Sequence, residues 1–208
     1  MLSLPNVTLV TCTNIKIEET IFAMEHSLSL VNFGDSKFIT NQHTFQHNQF
    51  EVIQETRLTD YDSYSKVILF ELNKYIETEF CLIIQYDGFV LNPEKWDNNF
   101  LNYDYIGAPC MFLHTNELTV GNGGFSLRSK KLLEIPEKYF ENEQEYNDTF
   151  PFSPGFEDHI ICITAKDYYQ NKDMKFAPIE IARKFATQPY DLRQPKNTFG
   201  FHYGNISI

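Results

Sequence analysis

The residues Cys81 to Ile84 form an apolar run that drives directly into Gln85-Tyr86-Asp87-Gly88. Asp-Gly is good turn chemistry, so one reading is a strand that stops at a turn. The other reading places the Asp87 carboxylate at the carboxyl end of a central strand, where open α/β sheets hold their ligands. Further stretches put chemistry-bearing side chains beside glycines: "GNGGFSLRS" from Gly121, "GFEDHIIC" from Gly155, and "FGFHYG" from Phe199. Glycine lets a backbone approach a ligand closely. Gly121, Gly123 and Gly124 around Asn122 suit a left-handed or flexible turn before a strand. They match neither the phosphate loop GxxxxGK followed by Ser or Thr nor the dinucleotide fingerprint GxGxxG.

The elements that must position these residues alternate. Val7 to Cys12 is rich in β-branched residues and reads as a buried strand. Glu18 to Leu30 reads as a helix, Lys37 to Thr40 and Glu51 to Ile53 as short strands. Asp60 or Ser63 can cap a helix running to about Ile76, and Phe80 to Gln85 is the next strand. Strand and helix alternating over 85 residues predict a mainly parallel sheet covered by helices. The second half is less regular. Pro93 to Leu101 suits a short helix, and Tyr105 to Ala108, Leu118 to Val120 and Gly124 to Leu127 are strand-like. A helix starts at Ser129, residues 137 to 155 read as an acidic, aromatic loop, and Phe156 to Tyr169 reads as a helix.

Composition narrows the function. The chain has 208 residues, 42% of them apolar, enough for one large domain with a full core. The net charge is −11, from 28 acidic and 17 basic residues. That argues against general nucleic-acid binding, which needs a basic stripe, and against docking on anionic membranes. It leaves room for a phosphate ligand, since backbone amides or a bound cation can supply positive charge. Cys12, Cys81, Cys110 and Cys162 form no CxxC pair and read as reduced thiols of a cytoplasmic protein. The first residues carry no basic, long-apolar leader pattern, and no apolar run approaches the ~18 residues that span a bilayer. His43 and His47 are spaced i, i+4 with no third ligand near, and Trp96 reads as core packing.

"IIQYDGFVLNPEKW", "YDYIGAP", "VGNGGFSLRSKKLL", "EDHIIC" and "FGFHYG", in this order over residues 6 to 204, resemble a little-characterised family of predicted glycosyltransferases with a GT-A-like fold. The arrangement is also similar to that of galactosyltransferases, which have a DxD motif after a central strand, a Gly-Gly segment beneath the sugar, a Glu-Asp pair and a late histidine ligand. The resemblance implies an α/β, Rossmann-like, mainly parallel sheet. It implies a single domain over 1–208, with a nucleotide-binding half over about 1–108 and a sugar and acceptor half over about 109–208.

Carried over by residue, Asp87 falls at the last acid of DxD and Gln85 at the first, an amide where the family has a carboxylate. Asp87 and His202 are implied as ligands of Mn²⁺ or Mg²⁺, with a diphosphate completing the shell. Asp158 is implied as the general base that deprotonates an acceptor hydroxyl for in-line, inverting transfer, with Glu157 orienting the acceptor. The alternative for that pair is acids placed favourably at a helix N-terminus. Thr11, Cys12 and Thr13 are implied at the nucleotide base. Tyr64, Lys66, Gln85, Tyr86, Asp87, Asn122, Gly123, Gly124 and Arg128 are implied around the rest of the donor. The expected activity is metal-dependent transfer from a UDP-linked sugar to a hydroxyl of a glycan or other acceptor. The Gln85 departure motivates an alternative, a non-catalytic module that binds a nucleotide sugar or glycan. A nucleotidyltransferase is disfavoured by the absence of a Gly-rich basic loop near the first strand.

Overall fold

The computed structural model describes residues 1–42, 45–111, 118–151, 156–187 and 197–203. Strand β1 (Leu2–Cys12) lies inside a sheet of six strands. It leads through helix α1 (Ile17–Leu30) to β2 (Val31–Thr40), which pairs with β1 in parallel, and β3 (Glu51–Gln54) pairs in parallel with β2. Helices α2 (Tyr61–Phe70) and α3 (Leu72–Tyr75) then carry the chain back across to β4 (Phe80–Ile84), parallel to β1 on its other side. The strand order is β3-β2-β1-β4, completed by β8 (Phe125–Ser129) and β5 (Tyr105–Gly107), both antiparallel to their neighbours. Crossovers from β1 and into β4 run in opposite directions. The carboxyl ends of β1 and β4 are therefore the switch point of the sheet, where connecting loops part and leave a crevice. Thr11–Thr13 and Gln85–Asp87 stand there.

Local physics accounts for these elements. In α1 the buried residues are Thr20, Ala23, Met24 and Ser27, a stripe at helical spacing, and three of the four are small enough to bring the helix close to the sheet. Helix α2 starts at the expected cap. The Asp60 side chain accepts from the Ser63 amide while Ser63 Oγ accepts from the Asp60 amide. Ser129 caps the short helix α4 (Lys130–Leu133), its hydroxyl accepting from the Leu132 amide.

The structure differs from the sequence reading in places. Strand β1 begins five residues before Val7. Pro5 is tolerated there because the β1–β2 register shifts between Leu4 and Thr8, so its missing N–H falls at an irregularity. The expected loop over residues 137–155 overlaps the end of α5 (Ile135–Tyr139) and contains α6 (Glu143–Thr149). Pro136 occupies the first turn of α5 rather than breaking a helix, and Asn142 caps α6. Tyr146 of α6 is fully buried, its hydroxyl 3.0 Å from that of Tyr169. Residues 152–155 of that stretch, and His43, lie outside the described residues. The region from Phe156 to Tyr169 is not one helix. It is α7 (Glu157–His159), a π-turn over Ile160–Thr164, and α8 (Lys166–Gln170). Residues 93–101 form two 3₁₀ turns instead of a helix.

A short pair, β6 (Pro109–Met111) and β7 (Leu118–Val120), flanks the sheet. Helix α9 (Ile179–Phe185) leads to a second pair, β9 (Ala186–Thr187) beside β10 (Gly200–Phe201). The segment around β10 runs antiparallel to residues 88–92. Gly200 bridges Val90, and the Phe199 carbonyl accepts from the Leu91 and Asn92 amides. Phe199 also packs on Trp96 and Phe125 at ring distances of 5.0 and 6.0 Å. Trp96, read as core packing, packs in this cluster.

Gly200 is where this segment passes Phe125: a Cβ there would lie 2.1 Å from the ring. Gly200→Ala should cost about 1–3 kcal/mol, the usual range for overpacking, and should displace the neighbouring His202. Urea unfolding gives the stability, and an NMR shift of the His202 ring protons reports the displacement.

Candidate functional site

Past the end of β4 the chain turns within four residues. The Gln85 and Gly88 amides each donate to the other's carbonyl at 3.0 Å, with Tyr86 and Asp87 between them. Both sequence readings of Asp-Gly therefore meet in one place. It is a tight turn, and the turn stands at the carboxyl end of a central strand. Asp87 is buried, and the partly exposed Tyr86 phenol is raised by burial and by Asp87, with Lys16 and Glu19 of the α1 start acting on it as well. Gly88 has no alternative. A Cβ would meet the His202 ring at 2.8 Å and the Phe201 carbonyl at 2.9 Å.

The β10 segment brings His202 onto this turn. The Tyr203 amide donates to the Asp87 carbonyl and the His202 amide to that of Thr187, both at 3.0 Å. His202 Nε2 then lies 3.2 Å from Asp87 Oδ1 and 3.1 Å from Gln85 Oε1. Gln85 is oriented from the far side, its Nε2 donating to the Tyr64 hydroxyl at 3.0 Å. That bond turns the amide oxygen toward His202. Beyond this approach of His202, the buried Asp87 Oδ1 accepts no hydrogen bond among the described residues, which leaves it lone pairs for a ligand. One carboxylate oxygen, one amide oxygen and one imidazole nitrogen thus face one another, a donor set that suits a divalent cation such as Mn²⁺. Among the described residues no three His, Cys, Asp or Glu side chains converge, because the third group here is an amide.

The glycine segment closes the next side. Asn122 adopts a left-handed backbone, φ 62°, and is buried. At Gly124 a Cβ would lie 2.2 Å from His202 Nε2 and 2.6 Å from Gln85 Oε1. The bare backbone is therefore what lets those two groups meet. The Gly123 amide donates to Asp158 Oδ2 at 3.0 Å, and Asp158 Oδ1 accepts from the His159 amide at 2.9 Å. Two backbone amides fix the half-buried Asp158 carboxylate, and each oxygen keeps a further lone pair.

Beneath Gly123 lies a buried ion pair. Arg128 is fully buried on β8, and its Nη2 donates to Glu157 Oε1 at 2.8 Å while Nε donates to Ser126 Oγ at 3.0 Å. Its guanidinium also sits over the Tyr105 ring, 5.1 Å from the centroid. Burial pushes the Glu157 carboxyl above its ordinary range, Arg128 pulls it back, and Asp158 adds to the rise. A Cβ at Gly123 would strike Glu157 Oε1 at 2.1 Å, so the ion pair and the glycine are fitted to each other.

Of the remaining sequence candidates, Thr11 is buried and donates its hydroxyl to the Ile84 carbonyl at 2.9 Å, tying the ends of β1 and β4 together. Cys12 is buried, and burial pushes its thiol up, with Glu55 and Glu157 adding to the rise. Thr13 is partly exposed and bonds the Ile15 carbonyl. Lys66 is not brought to the cluster. It lies on the exposed side of α2, its charge acting on Asp60, because Tyr64, Ser65, Val67 and Ile68 take the inward positions. Sequence reading missed Tyr61 and Phe156, two half-exposed aromatics beside Tyr64 and Glu157. Tyr61 is the first residue of the capped helix α2, and nothing in the sequence there marks it as exposed.

Residues 47–202 match DUF5672, a family described as a protein of unknown function. The chain belongs to this family. No curated protein sequence matches the DUF5672 chain. Among solved structures, a glycosyltransferase involved in the glycosylation of the major capsid of PBCV-1 superposes with a TM-score of 0.54 at 18% identity, over 97% of this chain and 94% of that one. An active-site mutant of LgtC superposes with a TM-score of 0.58 at 12% identity, over 96% and 88%. At these identities the likeness concerns fold. The DUF5672 chain has a GT-A-like α/β fold, the architecture of these glycosyltransferases. Among its described residues no helix is long and apolar enough to cross a membrane.

Removing one member of a buried ion pair leaves the other charge without a partner. Arg128→Met should lower stability by about 3–5 kcal/mol, and adding Glu157→Gln to it should restore a large part. Denaturant unfolding of the two single variants and the double variant measures the coupling. Simple additivity would mean the pair does not act as a unit.

Proposed function

We propose that this protein is a glycosyltransferase that moves a sugar from a nucleotide-diphosphate donor, UDP-linked, to a hydroxyl of a glycan or other acceptor. What carries the reading is the meeting of Gln85 Oε1, Asp87 Oδ1 and His202 Nε2 at the switch point of a GT-A-like sheet, beside Gly123 and Asp158. Asp87, His202 and Gln85 would hold a divalent cation, Mn²⁺ or Mg²⁺, which when bound supplies positive charge for a diphosphate leaving group. Among the described residues Arg128 does not substitute for that charge, since Glu157 holds it beneath the site. Residues 1–108 would mainly hold the nucleotide, with Thr11, Cys12 and Thr13 at the end of β1. Residues 109–208 would hold the sugar and acceptor, with Asn122, Gly123 and Gly124 under the sugar.

Asp158 is the base in this reading. The acceptor oxygen attacks the anomeric carbon, its proton passes to an Asp158 oxygen, and the bond to the diphosphate breaks with its electron pair going to the departing oxygen. In-line attack inverts the anomeric centre. Glu157 acts by holding Asp158 and the glycine segment in place, and orients the acceptor through them. A second reading, a binding module without catalysis, is favoured by the amide of Gln85 where the resemblance expects an acid.

Calorimetric titration of UDP with and without Mn²⁺ tests the donor site. Wild type should need Mn²⁺, and Asp87→Asn or His202→Ala should weaken binding by at least about 10–100-fold, the loss seen even for outer-shell groups. Unchanged affinity in both variants would overturn the cation site.

Asp158→Asn separates enzyme from binder. Donor binding should survive, and transfer to an acceptor should fall about 10²–10⁴-fold. Transfer at the wild-type rate would remove Asp158 as base. Donor binding with no turnover under any acceptor would favour the binding module.

A further inference from the structure

Two large aromatic side chains remain half-exposed beside the candidate base. Tyr61 is 55% exposed and Phe156 50%. They form a continuous array with the site: the Tyr61 ring stacks on Tyr64 at 5.9 Å and 27°, and meets Phe156 edge-on at 5.7 Å and 67°. Tyr64 is locked by the Gln85 amide, and Phe156 immediately precedes Glu157 and Asp158 in the chain. The Tyr61 phenol is raised by burial and then by the Glu157 and Asp158 carboxylates, so its hydroxyl lies within their field. Such rings would gain from burial, yet nothing among the described residues covers their outer faces.

We infer that Tyr61 and Phe156 form the platform on which a neutral pyranose of the acceptor stacks, with Asp158 facing one of its hydroxyls. This rests on the glycosyltransferase reading and names its acceptor class. An aromatic face suits the apolar C–H face of a pyranose, while carboxylates accept from the hydroxyls at its edge. The charge of the neighbourhood selects against an anion. Among the described residues Glu157 and Asp158 are the charges acting on Tyr61, Arg128 is buried and bound to Glu157, and Lys66 points to solvent on α2. A neutral sugar meets no repulsion there, whereas a sialic acid or a phosphorylated acceptor would.

The test uses the full chain and a panel of neutral methyl glycosides (glucoside, galactoside, mannoside and N-acetylglucosaminide), with methyl sialoside as the anionic control. Saturation-transfer NMR reports binding, and UDP with Mn²⁺ is titrated in parallel. At least one neutral glycoside should receive saturation on its C–H face from wild type, and the sialoside none. Tyr61→Ala and Phe156→Ala should each weaken that glycoside about tenfold, the scale of one aromatic contact. Tyr61→Phe, which keeps the ring, should retain it, and UDP affinity should be unchanged throughout. The platform is overturned if no neutral glycoside binds wild type, if the alanine variants bind it equally well, or if they lose UDP in parallel, which would make the rings a nucleobase shelf. If glycoside binding follows the expected pattern while no UDP binds wild type, the platform stands and the transferase reading fails.

Discussion

A guanidinium and a carboxylate placed in a protein core must face each other, and the Arg128–Glu157 pair sets the geometry of everything around it. Arg128 comes from the antiparallel strand β8 and Glu157 from the first turn of α7. Their contact fixes where α7 begins, and so where the next residue, Asp158, presents its carboxylate. The same contact occupies the volume under residue 123, which only glycine fits. The Gly123 amide is then free to hold Asp158, and Gly124 to admit Gln85 and His202. One buried pair thus links the glycine segment, the candidate base and the amide–carboxylate–imidazole cluster.

The sheet supplies the other half of this placement. Parallel pairing on either side of β1 forces crossovers in opposite directions, and the opening between them is a product of topology, independent of any particular side chain. Residue type enters at its rim. The Thr11 hydroxyl ties β1 to β4, Gly88 lets the β10 segment approach, and Tyr64 selects which end of the Gln85 amide faces inward. A glutamine where a carboxylate is expected lowers the negative charge of the cluster, while keeping an oxygen aimed at His202.

Legibility in the sequence followed the range of the interactions. The parallel half of the sheet is carried by runs of β-branched residues and by helices with an apolar stripe, one of them capped, signals contained within about ten residues, and it was readable. Asp60 and Ser129 announced their helices because a cap bonds only three residues away. The return of β10 across residues 88–92 has no local signal: its strand is two residues long, and its partners lie more than a hundred positions earlier. Pro136 sits in the first turn of a helix and Pro5 in a strand at a register shift, two placements that a proline by itself does not announce. The π-turn after Asp158 was hidden as well, since Ile160-Ile161-Cys162-Ile163 shows the same apolar pattern whichever way it winds. Tyr61 and Phe156 gave no sign, because exposure of an aromatic is a tertiary property. Asp87, Gly124 and His202 were legible as chemistry, yet their meeting was legible only through resemblance.

The bond between His202 and Gln85 closes a loop of 117 residues. Closing so long a loop is entropically unfavourable. The segment from Thr198 to Tyr203 offsets that cost with packing as well as backbone bonds: Phe199 and Phe201 are buried in the core, against Trp96, Phe125 and Phe89. A molecule with this segment lifted would lose two core rings together with one of the three facing groups. The placement of His202 is therefore tied to the packing of the core, and a cation that bridged Asp87 to His202 would act as a clasp between the turn after β4 and the β10 segment.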